Sequence, residues 1–198
     1  MPGLEAMQGL GVVRAPMPQR RVVFEHTVEG LFGHSLRNRL SAAARRALRE
    51  AGVDLSKPLL PAYSHETWRR CLEITVADLY PLVSREEGWR LLGHEVVDGM
   101  MHTVMGRAMV GVARLLGPLR SLRRLNNTLS SADNYVESRL TELSPTQCEV
   151  WINEVMEQPT YYQGVLEACI GLAGGRDIRV RVVAREGRGA RLHVEWQP

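Results

Sequence analysis

In the first two thirds of the chain, the spacing of apolar residues is that of amphipathic helices. Apolar side chains recur every three or four residues over three segments, and arginine or glutamate occupies many positions between them. This pattern predicts helices over residues 34–51, 64–79 and 84–116. Ser64 and Ser84 are favourable N-caps for the second and third of these helices.

After residue 124, apolar and polar residues alternate, which is typical of strands with one buried face. We predict two strands around a turn at residues 144–146, and then a helix that begins at Pro159 and ends near residue 173. A second β-hairpin follows, with its turn at residues 186–189. Its predicted inward-facing residues are Ile178, Val180, Val182, Leu192, Val194 and Trp196.

These elements predict an α+β fold in which N-terminal helices pack on an antiparallel sheet of about four to five strands, ending in a helix and a β-hairpin. The β-branched run at residues 21–25 is the candidate fifth strand. We expect residues 21–198 to form one domain, because a chain of this length can bury a sufficient core. Residues 1–20 contain several glycines and prolines, and we expect them to form a flexible arm.

Composition and charge disfavour several classes of protein. The net charge of +3 is small, and arginine carries nearly all of the positive charge, since Lys57 is the only lysine. Dedicated nucleic-acid-binding proteins usually show a more concentrated basic surface. Cys71, Cys148 and Cys169 are too far apart for a metal or redox motif, so we expect reduced thiols. Without a long apolar run or a signal-peptide pattern, we expect a cytoplasmic location and no membrane insertion.

Three polar residues of the predicted helix 84–116 have a spacing of functional interest. His94, Asp98 and His102 follow one another at intervals of four and therefore lie on one face. A metal site or an acid–base pair can use this spacing. We interpret the stripe as the solvated face of an amphipathic helix. A metal-dependent enzyme that uses these residues is an alternative function.

Gly93, Gly99 and Gly106 interrupt the same helix, and Gly106 is a candidate break. Each glycine costs about 1 kcal/mol relative to alanine in a helix interior. The cost indicates a reason, for which close helix packing, for example across a dimer, is the preferred interpretation. Space for a ligand is the other interpretation. Methionines on the apolar face would suit either one; they are Met100, Met105 and Met109.

No phosphate-binding loop, dinucleotide-binding motif or nucleophile elbow occurs in the sequence. We therefore predict a non-enzymatic regulatory module for small-molecule sensing or protein interaction, which forms a homodimer. An apolar or anionic ligand is expected between the helix 84–116 and the sheet. Arg123 and Arg124 are candidates for binding an anionic group, and the other candidate ligand-binding residues are Trp89, Gly99 and Met100. Arginine-mediated nucleic-acid binding is a second alternative.

Four short segments resemble a paralogous family of myxobacterial proteins that has no assigned function. They are Val-Glu-Gly-Leu-Phe at residues 28–32, Leu-Leu-Pro-Ala-Tyr at 59–63, Gly-Trp-Arg-Leu-Leu-Gly at 88–93 and Leu-Gly-Pro at 116–118. The resemblance covers residues 20–198. It implies a lineage and adds no chemistry.

The order of helices, strand pair, helix and hairpin over residues 84–198 is also similar to that of the heme–nitric-oxide-binding and 4-vinyl-reductase fold, with Pro-Thr-Tyr-Tyr-Gln-Gly at 159–164 opening the penultimate helix. That fold implies a pocket between helices and sheet. The proximal histidine of the heme-binding members would fall within residues 122–127, and their Tyr-x-Ser-x-Arg motif within 149–153. Neither is present here, so we expect a ligand-binding module without a heme cofactor.

Overall fold

The computed structural model describes residues 20–198, except for the side chain of Met105. Most of the predicted N-terminal arm therefore lies outside the described residues. The helices are α1 (Glu25–Val28), a π-helical segment (Glu29–Ser35), α2 (Ala42–Ala51), α3 (His65–Leu79), α4 (Arg85–Met101), α5 (Val104–Leu116), α6 (Pro118–Leu122), α7 (Leu125–Ala132) and α8 (Pro159–Leu172). The strands are β1 (Val22–Phe24), β2 (Ala62–Ser64), β3 (Ser138–Ser144), β4 (Gln147–Ile152), β5 (Arg176–Glu186) and β6 (Gly189–Gln197).

The four C-terminal strands form one antiparallel sheet in the order β3-β4-β6-β5. The predicted strand pair and the predicted hairpin are joined by β4 and β6, where Val150 lies opposite Leu192. Within the hairpin, Val180, Leu192, Val194 and Trp196 are buried, whereas Ile178 and Val182 are partly buried. The predicted α+β fold is confirmed.

The candidate fifth strand forms, but it does not join this sheet. β1 pairs with β2 in a separate two-stranded sheet, in which Val23 lies opposite Tyr63. Val23 also forms an isolated bridge with Asp133, just beyond α7. β1 therefore connects the first helices to the region between α7 and β3.

Serine hydroxyls begin α3 and α4 as predicted. The Ser64 Oγ accepts a hydrogen bond from the Thr67 N–H, and the Ser84 Oγ accepts one from the Glu87 N–H. Each interaction satisfies a backbone donor that would otherwise lack a partner at a helix start.

Two predicted helix ranges were wrong. Residues 34–51 are not one helix: the π-helical segment ends at Ser35, and α2 begins only after Ser41, whose hydroxyl caps it and contacts Asp78. Residues 84–116 are two helices, because the Thr103 hydroxyl donates to the Met100 carbonyl and accepts from the Gly106 N–H. The break thus lies at residues 102–103, shortly before the predicted position.

The glycines of α4 permit close packing within the chain. A side chain at Gly93 would collide with the backbone carbonyl of Tyr161 in α8, and one at Gly99 would collide with the carbonyl of Gly30 in the π-helical segment. A side chain at Gly164 of α8 would likewise collide with the backbone carbonyl of Arg90. The packing interpretation of these glycines is confirmed, and the contacts are those of α4 with its neighbours in the same chain. Among residues 20–198, no helix has the length and apolarity needed to cross a membrane.

Candidate ligand pocket

A cavity of about 180 Å³ lies between the paired helices α4 and α8 on one side and α5 to α7 on the other. Its walls are almost entirely apolar. β1 and α3 contribute Val23 and Trp68 to its inner end. The apolar residues that α4, α5, α7 and α8 contribute include Val96, Val97, Met100, Met101, Met109, Val110, Ala113, Leu125, Leu129, Val165, Cys169 and Ile170.

A small group of polar side chains occupies one part of this lining, where Asp133 is the only carboxyl among residues 20–198. The Asp133 Oδ1 accepts hydrogen bonds from the N–H groups of Tyr135 at 3.0 Å and Val136 at 2.7 Å. Burial raises the pKa of this carboxyl to about 6, although these two hydrogen bonds and the nearby Arg21 favour the charged form. Thr27, Tyr135, Tyr161 and Tyr162 also line the cavity, and Ser121 and Thr128 are further hydroxyl-bearing residues of the lining. The cavity therefore offers hydrogen-bonding groups beside a large apolar surface.

Arg21 lies behind this polar group and is engaged elsewhere. Its guanidinium lies 4.6 Å from the centre of the Tyr135 ring and forms an ion pair with Glu154 at 2.6 Å. Arg188 reaches the same Glu154 oxygen at 2.9 Å. These contacts hold the positive charge of Arg21 outside the cavity lining.

The nucleophilic groups that line the cavity are held in their neutral forms. Burial raises the pKa of the Cys169 thiol to about 11 and raises the pKa of the Tyr161 and Tyr162 phenols above their ordinary value. A thiol with a raised pKa is a poor nucleophile. The lining is therefore better suited to binding than to nucleophilic chemistry.

The sequence-predicted ligand residues lie in different places. Met100 lines the cavity. Trp89 is buried between α4 and α8, edge-on to Tyr161 with ring centres 6.2 Å apart, and Gly99 packs on Gly30. Arg123 forms two hydrogen bonds with Glu142 at the surface, at 2.6 and 2.7 Å. Arg124 lies in a groove between α5 and α7. Of the five predicted ligand-binding residues, Met100 lines the cavity, and Trp89, Gly99, Arg123 and Arg124 do not.

Within the His94–Asp98–His102 stripe, His94 pairs with another helix, whereas Asp98 and His102 lie next to each other. The His94 Nε2 lies 2.8 Å from Glu167 of α8, which also binds Arg90. Asp98 and His102 are exposed, with 4.0 Å between Oδ2 and Nε2. Among residues 20–198, no group of three His, Cys, Asp or Glu side chains is arranged to hold a metal ion.

Several pocket residues were not anticipated from the sequence, chiefly Asp133, Tyr135, Tyr161, Tyr162 and Met101. The two adjacent tyrosines at the start of a buried helix were the available signal, because a buried tyrosine needs a partner or a cavity for its hydroxyl. Asp133 follows α7 and had no comparable signal. Its role depends on the packing of β1 beside it.

Solved structures with a similar fold include several H-NOX domains. An oxygen-binding H-NOX domain related to soluble guanylate cyclases, in its oxygen complex, is 13% identical with a TM-score of 0.63, over 86% of this chain and 93% of that chain. An Fe(II) unliganded H-NOX protein from K. algicida is 8% identical with a TM-score of 0.60, over 87% and 95%. The predicted similarity to the heme–nitric-oxide-binding fold is thus confirmed for the fold.

The residues of this cavity do not fit heme. Heme iron needs an axial ligand, and the two propionates are bound best by cations. Within residues 20–198, the cavity lining contains no histidine, lysine or arginine, and residues 1–19 contain no histidine. The Cys169 thiol and the tyrosine phenols carry raised pKa values, whereas iron binds the deprotonated forms. The methionine thioethers of the lining could ligate iron without a proton change, but nothing in the described part of the lining would bind the propionates.

No curated protein matches this chain. The family described as "Protein of unknown function (DUF2378)" matches it over residues 21–197, which is nearly the whole length described by the structure. The chain belongs to this family.

Proposed function

We propose that this protein is a regulatory module that senses a small, neutral, largely apolar molecule in the cavity between α4, α5, α7 and α8, without heme. The observation that carries the proposal is the largely apolar cavity whose lining includes Asp133 and three tyrosines. The H-NOX-like fold supports a ligand-sensing role. The predicted homodimer and cytoplasmic location belong to the same proposal.

The size of the cavity supports a ligand of one or two rings. A cavity of about 180 Å³ is close to an engineered apolar cavity of about 150 Å³ that binds benzene. Apolar walls attract such a ligand because they remove its surface from water. The hydroxyl groups of Thr27, Tyr161 and Tyr162 can orient one polar atom of the ligand.

The charge of the lining supports a neutral ligand. No cation lines the cavity among residues 20–198, and the Asp133 carboxyl lies in its wall. An anionic ligand would be desolvated without a counter-charge, beside a group that becomes negative itself above about pH 6. The arginine-bound anion considered from the sequence is therefore less well supported than an apolar molecule.

The test is ligand-detected and protein-detected NMR with benzene, toluene, indole and naphthalene as probes. We expect saturable binding with shifts in the methyl signals of Met100, Met101 and Met109. Ala113→Phe should fill the cavity and abolish these shifts, whereas Ala43→Phe, on an exposed position of α2, should leave them unchanged. Binding by none of the probes would contradict the proposal.

A parallel titration with hemin tests the absence of heme. We expect a broad absorption band, as for hemin that associates non-specifically, and no stoichiometric complex. A sharp Soret band at a 1:1 ratio that Ala113→Phe removes would show a heme site and would overturn this part of the proposal.

A further inference from the structure

Helix α5 has apolar side chains on two opposite faces. Its inner face lines the cavity with Met109, Val110 and Ala113. On its outer side Val104 is 80% exposed, Val112 46% and Leu115 88%. Single exposed apolar residues are common, but three on one short helix form a patch of the kind that marks an interaction site.

A groove of about 370 Å³ runs between α5 and α7 beside this patch. Its α5 wall is apolar and includes Ala108, Val112 and Leu116. Its α7 wall is polar and includes Arg124 and Asn127. A groove with one apolar and one polar wall matches the two faces of an amphipathic helix.

The charge that lines the groove is positive. Among the described residues, Arg124 is the one charged residue of the lining. Residues 99–132, which include both helices of the groove, contain no aspartate or glutamate. Arg107 and Arg114 lie on the face of α5 that points away from the groove. Opposite charge on a partner would therefore be recognised chiefly by Arg124. Opposite charges across an interface favour the encounter and select the partner.

We propose that the groove between α5 and α7 binds an amphipathic helical segment of a partner protein, with apolar residues on one face and carboxylates beside them. The concave shape favours a protein segment over a lipid surface, which is flat on this scale. Arg124 in its polar wall favours an acidic segment. The groove is defined by its own residues, so this inference does not require the proposed ligand.

The experiment is a peptide-display selection on the full chain with a random library of 16-residue peptides. We expect the enriched peptides to carry apolar residues at helical spacing together with aspartate or glutamate. For one enriched peptide, Arg124→Glu should weaken binding at least about tenfold. The control Arg185→Glu makes the same charge change on an exposed residue elsewhere and should leave the affinity unchanged.

Four results would overturn the inference. The first is enrichment of peptides without an acidic amphipathic pattern, or of none. The second is equal loss of peptide binding in both charge variants. The third is binding of the chain to phosphatidylserine vesicles that Leu115→Glu removes while peptide binding persists, which would assign the patch to a membrane. The fourth is a dimer in size exclusion that wild type forms and Leu115→Glu does not. A second copy of the chain would then occupy the groove in place of a partner segment.

Discussion

Arg21 and Glu154, which are 133 residues apart in the chain, form an ion pair with 2.6 Å between Nη2 and Oε2. Arg188, in the turn of the C-terminal hairpin, reaches the same oxygen at 2.9 Å. The Glu154 side chain is 7% exposed. One carboxylate therefore joins the residue before β1 to the hairpin turn.

Replacing this carboxylate should destabilise the fold. Glu154→Gln leaves two guanidiniums without their charge partner, and we expect a loss of about 1–3 kcal/mol, reduced by the partial exposure of Arg21 and Arg188. Urea denaturation measures it. Glu142→Gln breaks the exposed pair with Arg123 and should cost less than about 1 kcal/mol. Equal effects of the two substitutions would contradict the role of Glu154.

Asp133 should make stability depend on pH. Its pKa in the folded protein is about 6, above the ordinary value of 3.8, so the folded state binds the proton more tightly than the unfolded state. The resulting stabilisation is complete below about pH 4 and is lost as the pH rises through 6. The full shift corresponds to about 3 kcal/mol.

Asp133→Asn keeps an oxygen that accepts from the N–H groups of Tyr135 and Val136 but removes the titration. Between pH 4 and 7, the free energy of unfolding of this variant should fall less than that of wild type. Asp98→Asn, at an exposed position, should follow the wild-type profile. Parallel profiles for wild type and Asp133→Asn would show that the carboxyl does not titrate in this range.

The crossing of α4 and α8 should not tolerate a side chain at Gly93. In Gly93→Ala the new Cβ meets the carbonyl of Tyr161, and the helices must separate. We expect a loss of at least about 1–3 kcal/mol in thermal or urea unfolding. Gly111→Ala is the matched control, because nothing lies within 4 Å of a Cβ there; it should be neutral or stabilise the protein by about 0.4–1 kcal/mol.

Zinc tests the alternative of a metal-dependent enzyme. Because His94 is engaged by Glu167 and no group of three ligand side chains is arranged for a metal among residues 20–198, excess Zn²⁺ should leave the melting temperature unchanged. A ligand that binds only the folded state would raise it. A rise that His102→Ala abolishes would favour the metal site.

The cavity and the groove share a wall, so their occupants should influence each other. Met109, Ala113, Ser121 and Thr128 line both. If both proposals hold, a bound aromatic probe should change the affinity of the selected peptide, and the peptide should change probe affinity by the same factor. Isothermal titration with and without indole measures both factors. If the probe and the peptide bind independently, occupancy of the cavity does not change the groove through α5.

The elements that sequence analysis predicted correctly depend on neighbouring residues. The Ser64 and Ser84 caps and the alternation around Val150 and Leu192 are local signals, and α3, the start of α4 and the sheet followed from them. The break at Thr103 was misplaced because a threonine hydroxyl gives a weaker signal than a glycine.

The candidate site was less predictable because no local pattern assembles it. Its walls come from helices far apart in the chain, and Asp133 joins them only through its packing beside β1. Arg124 was singled out for its charge, but the cavity lies on the other side of the α5–α7 layer. Only the packing of α5 assigns Val110 to the cavity and Arg124 to the groove.

The four-stranded sheet ends on β3 and β5, and neither edge is a regular apolar strand. The pairing of β5 with β6 shifts between Arg176 and Arg179 and again between Val182 and Ala184, and Arg179 and Arg181 project from it as exposed residues. An irregular, charged edge is a poor template for adding a strand from another molecule. The protein should therefore resist edge-to-edge aggregation.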